Sequence, residues 1–92
     1  MKKRLTEAML AKIKLPSGKD RLEISDSAAN GLVARKYVNK ITFSFVYRFA
    51  GEQQRITYKG SWPDIPITQA REMTYENHRL LAKNINPKTH IK

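Results

Sequence analysis

The sequence predicts an α+β fold: a small antiparallel β-sheet of three to four strands packed against a C-terminal α-helix, with a short N-terminal helix. Three stretches predict it. Ile41 to Phe49 alternates strictly, with Ile41, Phe43, Phe45, Tyr47 and Phe49 on one side and Thr42, Ser44, Val46 and Arg48 on the other. After Ala50-Gly51 the alternation resumes, Ile56 and Tyr58 interleaving with Arg55, Thr57 and Lys59. Side chains of a strand alternate with period two, so this is a hairpin with one aromatic face and one face of hydroxyls and cations. Further on, Ala70, Met73, Asn77, Leu80 and Leu81 recur at helical spacing. The remaining stretch, Leu5-Thr6-Glu7, reads as a helix start.

In chain order, Thr6 caps the first backbone donors of the short helix and Glu7 suits its dipole. Ala8, Met9 and Ile13 give it an apolar stripe, and Leu15-Pro16-Ser17-Gly18 ends it. Arg21 to Ser25 is a first strand with Leu22 and Ile24 on one side, followed by the loop Asp26 to Gly31. Leu32 to Val38 is the second strand, and Asn39-Lys40 turns into the long third one. Gly51-Glu52-Gln53 turns into a fourth around Arg55 to Lys59. Pro63 and Pro66 punctuate the next connection, where Trp62 is a packing anchor. Thr68 is the expected cap of the last helix, with Ile67 as its staple. Arg71, Glu72, Glu76, Arg79 and Lys83 face solvent. Asn84 takes a left-handed C-cap position, Ile85 folds back on the last turn, and Pro87 stops the helix.

The aromatic set places the core. A one-residue slip of register would expose all of Phe43, Phe45, Tyr47 and Phe49, so that face is expected to be buried against Met73, Leu80 and Leu81.

Charge then narrows the function. The chain of 92 residues carries a formal charge of +10, unevenly placed. Between Ser27 and Pro63 stand Arg35, Lys36, Lys40, Arg48, Arg55 and Lys59 against the single acid Glu52. Met1 to Lys14 holds Lys2, Lys3, Arg4, Lys12 and Lys14 against Glu7. A positive field concentrated on a sheet and an N-terminal arm fits a polyanion partner. Nucleic acid ranks above membrane, because no helix pairs a basic face with exposed large apolar residues. The absence of cysteine excludes disulfides and thiolate metal sites and fits an intracellular, cytoplasmic location.

No catalytic, metal or cofactor site emerges. His78 and His90 have no ligand partners at metal spacing, and Thr42, Ser44 and Thr57 lack a paired base. Gly31, Gly51 and Gly60 form no phosphate-binding loop. Two other classes compete with DNA binding: a small basic RNA-binding protein, recognising double-stranded RNA or associated with the ribosome, and a protein-interaction module with incidental charge. Proteins that stack single-stranded bases carry aromatics on the open sheet face, which here is occupied by hydroxyls and cations, with Tyr37 as the exception.

Read as a whole, the chain resembles the N-terminal arm-type DNA-binding domain of the tyrosine recombinases encoded by prophages and genomic islands, the integrases. The residues that carry the likeness run in order: Leu5-Thr6-Glu7, Leu22 to Asp26, Gly31-Leu32, Phe43 to Gly51, Gly60 to Asp64, Ile67 to Arg71 and Leu80 to Pro87. The resemblance implies a small antiparallel sheet on a C-terminal helix that grips arm sites in double-stranded DNA. It also implies separate core-binding and catalytic domains, and other integrase protomers engaged through them. The recombinase's catalytic Arg, His and Tyr have no counterpart in this chain, so it is not expected to cut DNA. Residues 1–87 are expected to form the domain and residues 88–92 to begin a linker.

The candidate contacts divide in two. Arg35, Ser44, Arg48, Arg55 and Thr57 each alternate with core residues, which points them into a groove. Lys2, Lys3, Arg4, Lys40 and Lys59 lie at the arm, a turn and a strand end, where backbone phosphates are the natural target.

Overall fold

The computed structural model describes residues 2–90, and of Thr89 and His90 only the backbone. Residues 91 and 92 of the expected linker and the His90 side chain lie outside the described residues. Among the described residues five strands form one sheet in sequential order: β1 (Lys2–Lys3), β2 (Arg21–Asp26), β3 (Leu32–Tyr37), β4 (Ile41–Phe49) and β5 (Glu52–Thr57). The pairs from β2 to β5 are antiparallel and β1 joins β2 in parallel. Three helices accompany them: α1 (Glu7–Lys12), α2 (Ile67–Ala82) and the short α3 (Pro87–His90).

The fold class is as the sequence predicts, with one strand more. Two lysines carry no apolar signature, so β1 is invisible to periodicity. Its anchor lies next door: the Leu5 N–H donates to Asp26 Oδ1 at 3.1 Å, and the Ser27 N–H donates to the Lys3 carbonyl at 2.9 Å.

The aromatic face is the core. Phe43 and Phe45 are fully buried, and Ile41, Tyr47, Ile56 and Tyr58 nearly so. The cluster gathers Leu22 and Ile24 from β2, Leu32 and Ala34 from β3, and Ile67, Ala70, Met73 and Leu81 from α2. Leu5 and Leu10 enter the same cluster, so α1 and α2 cover the same side of the sheet. Leu10, not Ala8, is the buried residue of α1, and Ala8 is exposed. Thr6 does cap α1, accepting from the Met9 N–H at 3.1 Å.

The β4–β5 connection is tighter than expected. Ala50 and Gly51 have φ of 54° and 82°, the signature of a two-residue turn whose twist matches that of the strands it joins. Pairing therefore starts at once with Phe49 opposite Glu52, and β5 runs from Glu52 rather than from about Arg55.

Helix α2 starts two residues earlier than Thr68 suggests. Pro66 is its N-cap, without a side-chain hydrogen bond, and Ile67 is buried within the first turn. Proline's fixed φ and missing N–H suit the very start of a helix, where the donors have no intrahelical partner. At the other end Asn84 has φ of 60°, its N–H reaches the Leu81 carbonyl, and the Ile85 N–H reaches the Leu80 carbonyl. That paired closure is the Schellman motif, as Asn84 and Ile85 predict.

Arg71 departs from its expected solvent position. It reaches from α2 to the fully buried Asp26, Nε to Oδ2 at 2.7 Å, and to the Leu5 carbonyl. Beside it Thr74, also fully buried, lies 2.8 Å from the Tyr58 hydroxyl, and burial raises the Tyr58 phenol above its ordinary range.

One glycine carries a prediction. Gly31 has φ of +90°, and a Cβ there would lie 2.7 Å from Phe45 Cε1 and 2.7 Å from the Val46 carbonyl oxygen. Left-handed backbone strain of about 1–2 kcal/mol adds to that overlap, so Gly31→Ala is expected to destabilise the fold by about 2 kcal/mol or more. A urea titration followed by Trp62 fluorescence checks it; an unchanged midpoint would contradict the packing described.

Candidate nucleic-acid interface

With the helices on one side, the register fixes what the other side presents. The residues opposite the core are Arg21, Glu23 and Ser25 on β2, Val33, Arg35 and Tyr37 on β3, Thr42, Ser44, Val46 and Arg48 on β4, and Gln53, Arg55 and Thr57 on β5. Arg21, Arg35, Arg48 and Arg55 thus share the face with one carboxylate, Glu23. The face is cationic because strand alternation sends every aromatic residue of β4 to the other side.

The structure brings several predicted residues together. Arg35 sits opposite Glu23 in the register and donates to its Oε2 through Nε at 2.7 Å and also through Nη2. Its Nη1 donates to the Tyr37 hydroxyl at 3.2 Å. Arg55 reaches the same Glu23 oxygen from β5, at 3.4 Å. Burial works against the Glu23 charge, but the hydrogen bonds from Arg35 and Arg55 outweigh it and hold the carboxyl below its ordinary range.

That bridge explains one correction. Ser44 is expected to lie open, yet it is 3% exposed, and Val33 beside it is 8% exposed. The register puts both residues on the diagonal between Arg55 and Glu23, so an ion pair spanning β5 to β2 crosses over them. Ser44 lies 3.3 Å from the Thr57 hydroxyl. Thr57 itself is exposed.

The other cations spread around this centre. Arg48 is exposed at the β4–β5 end, where Nη1 donates to the Gly51 carbonyl at 3.2 Å. Lys40 is exposed in the β3–β4 turn, its Nζ 5.4 Å from the Tyr37 ring centroid. Lys59 is exposed just past β5, and Arg4 just past β1. Lys2 pairs with Ser25 and so falls on the cationic side; Lys3 pairs with Asp26 and falls on the helix side, away from the arginines.

Two members of the face escape a reading of cations alone. Glu23 is signalled only by its place between Leu22 and Ile24, and Tyr37 by its place two residues after Arg35. Among the described residues no group of three or more His, Cys, Asp or Glu could hold a metal ion. None of the described helices is long and apolar enough to cross a membrane. His78 packs its ring edge-on against Phe45, and its Nε2 lies 2.6 Å from the Asn30 carbonyl oxygen.

A sheet with its helices on one side and a bare arginine face on the other defines a small α+β binding module for polyanions. The chain belongs to the arm DNA-binding domain family, whose profile matches residues 5–92. DNA is therefore its partner, and such a domain is a non-catalytic module. No curated protein matches the chain.

Proposed function

We propose that this chain is the arm-site-binding domain of a phage-type tyrosine recombinase, gripping double-stranded DNA in support of site-specific integration and excision. The observation that carries the reading is the sheet face free of helices, with Arg35, Arg48 and Arg55 on it and Thr57 open beside them. A two-stranded ribbon such as β4–β5 fits the major groove, where arginine and hydroxyl donors meet base edges. Lys40 and Lys59 lie at the margins of that ribbon, while Lys2 and Arg4 lie at the opposite edge of the sheet, beside β2; at both places flanking phosphates are the natural target. In this reading the module works in the cytoplasm of a bacterial or phage-infected cell. Residues 1–87 form the module, residues 88–92 lead on toward the recombinase's further domains, and strand cleavage belongs to those domains. Cooperation with other protomers would run through them too.

Competition among matched DNA duplex, RNA duplex and single strands tests the reading, with the DNA duplex expected to win. Burial of Phe43, Phe45 and Tyr47 leaves Tyr37, half-buried and bonded to Arg35, as the aromatic residue of the described strands on the open face. That falls short of the row of rings on which a single-strand binder stacks successive bases. With about four to six phosphate contacts, log affinity is expected to fall against log salt with a slope of roughly −4 to −5. Lys40→Ala or Lys59→Ala should weaken all duplexes alike and reduce that slope by about one. Arg48→Ala should instead narrow the gap between a preferred and a scrambled duplex, by about 1–3 kcal/mol for a bidentate base contact. A flat salt response, or preference for RNA duplex, would overturn the assignment.

A further inference from the structure

Among the described strand residues, Glu23 is the one carboxylate on a face otherwise built for anions, and its position is not incidental. Arg35 meets it across β2 and β3, while Arg55 comes to the same oxygen from the far strand of the sheet. Tyr37 holds the remaining arm of the Arg35 guanidinium. The result is a clamp that ties both arginines to one carboxylate instead of leaving them free in solvent, with Val33 and Ser44 on the diagonal that the Arg55–Glu23 pair spans. An unclamped arginine follows any phosphate and carries no sequence information. A fixed planar fork is matched to one geometry of acceptors.

We propose that Glu23 is a specificity-determining positioning residue of the DNA face: it orients Arg35 and Arg55 and, as a fixed negative charge, disfavours loose phosphate binding at the centre of that face. This rests on the DNA-binding reading above. The carboxylate acts in two ways. It lowers the local positive potential seen by DNA backbone that settles on the face in an arbitrary register. It also withholds two guanidiniums from indiscriminate contacts, so that only a duplex offering acceptors in the clamped geometry gains fully from them. Discrimination arises from the penalty on wrong sites as much as from attraction to the right one.

The test uses the full chain as wild type, Glu23→Gln and Glu23→Asp, with two probes: a duplex selected from a random pool by the wild-type chain, and its scrambled counterpart. Glu23→Gln is expected to bind the scrambled duplex several-fold tighter, with a salt slope steeper by about one. The ratio between the two duplexes should shrink about tenfold. Glu23→Asp restores the charge and is expected to bring the salt slope back toward the wild-type value. Thermal unfolding followed by Trp62 fluorescence establishes that each variant is folded at the binding temperature. If the wild type binds duplex with the expected salt dependence and Glu23→Gln alters neither slope nor ratio, the role given to Glu23 is wrong while the DNA reading stands. Equal weakening on both duplexes would likewise reduce Glu23 to a structural residue. A wild type that shows no salt-dependent duplex binding would sink the DNA reading itself, before Glu23 enters.

Discussion

Phe45→Ala is expected to cost about 3–5 kcal/mol, a large share of the stability of a domain this small. Phe45 is fully buried at the middle of β4, between Leu32 on β3 and Ile56 on β5. Its ring stacks on Tyr47 with centroids 5.0 Å apart and meets His78 edge-on at 5.1 Å. Truncation removes the transfer free energy of the ring and leaves a cavity that rigid strands on either side cannot close. The exposed Gln53, which the register places on the opposite face, should tolerate alanine within about 0.5 kcal/mol. Urea titrations of both variants decide the point. A loss below about 1 kcal/mol for Phe45→Ala would mean that the aromatic side is not the core.

That contrast marks how far the sequence can be read. Alternation over β4 assigns nine consecutive side chains to two faces, and burial makes the assignment unambiguous, because the wrong register would bare four aromatic rings. The Thr6 cap and the Asn84–Ile85 closure are legible for another reason: each is a local backbone solution written in adjacent residues. What escapes is set by contacts distant in sequence. β1 exists because Asp26 and Ser27 hold it, and nothing in Lys2-Lys3 itself signals a strand. Ser44 is buried by an ion pair between residues 32 positions apart, which no periodicity reports. The site divides in the same way. The arginine side of the sheet follows from alternation, whereas the tie of Arg35 and Arg55 to Glu23 needs the strand order and the register. Lys3 shows the converse: its charge suggests the cationic side, and the parallel pairing with Asp26 turns it to the other.

Asp26 is the second position where a single change should be severe. Its carboxylate, fully buried, takes hydrogen bonds from Arg71 on α2 and from the backbone N–H groups of Leu5 and Ala28. Arg71 also donates to the Leu5 carbonyl, so one ion pair ties the N-terminal segment, the end of β2 and α2 together. Asp26→Ala strands a partly buried guanidinium and the buried Leu5 N–H, and is expected to cost about 3–5 kcal/mol. Arg71→Met leaves the opposite charge buried and should cost a comparable amount. The double variant should lose clearly less than the sum of the two, since each single change already removes the shared interaction. Acid offers an independent check. Burial alone would raise the Asp26 pKa, but the hydrogen bonds from Arg71, Leu5 and Ala28 outweigh it and hold the group below its ordinary 3.8. A carboxylate depressed in the folded state contributes its full stability above the unfolded value and loses it as the pH falls through the folded one. Wild-type stability should therefore drop through an acid step that begins near the ordinary carboxylate range and continues below it. Asp26→Ala should lack that step, so the gap between the two proteins narrows from neutral pH to about pH 3 and below. Urea midpoints across that range measure it directly. A gap that stays constant with pH would mean that the Asp26 charge contributes nothing, and that the residue serves only as packing between β2 and α2.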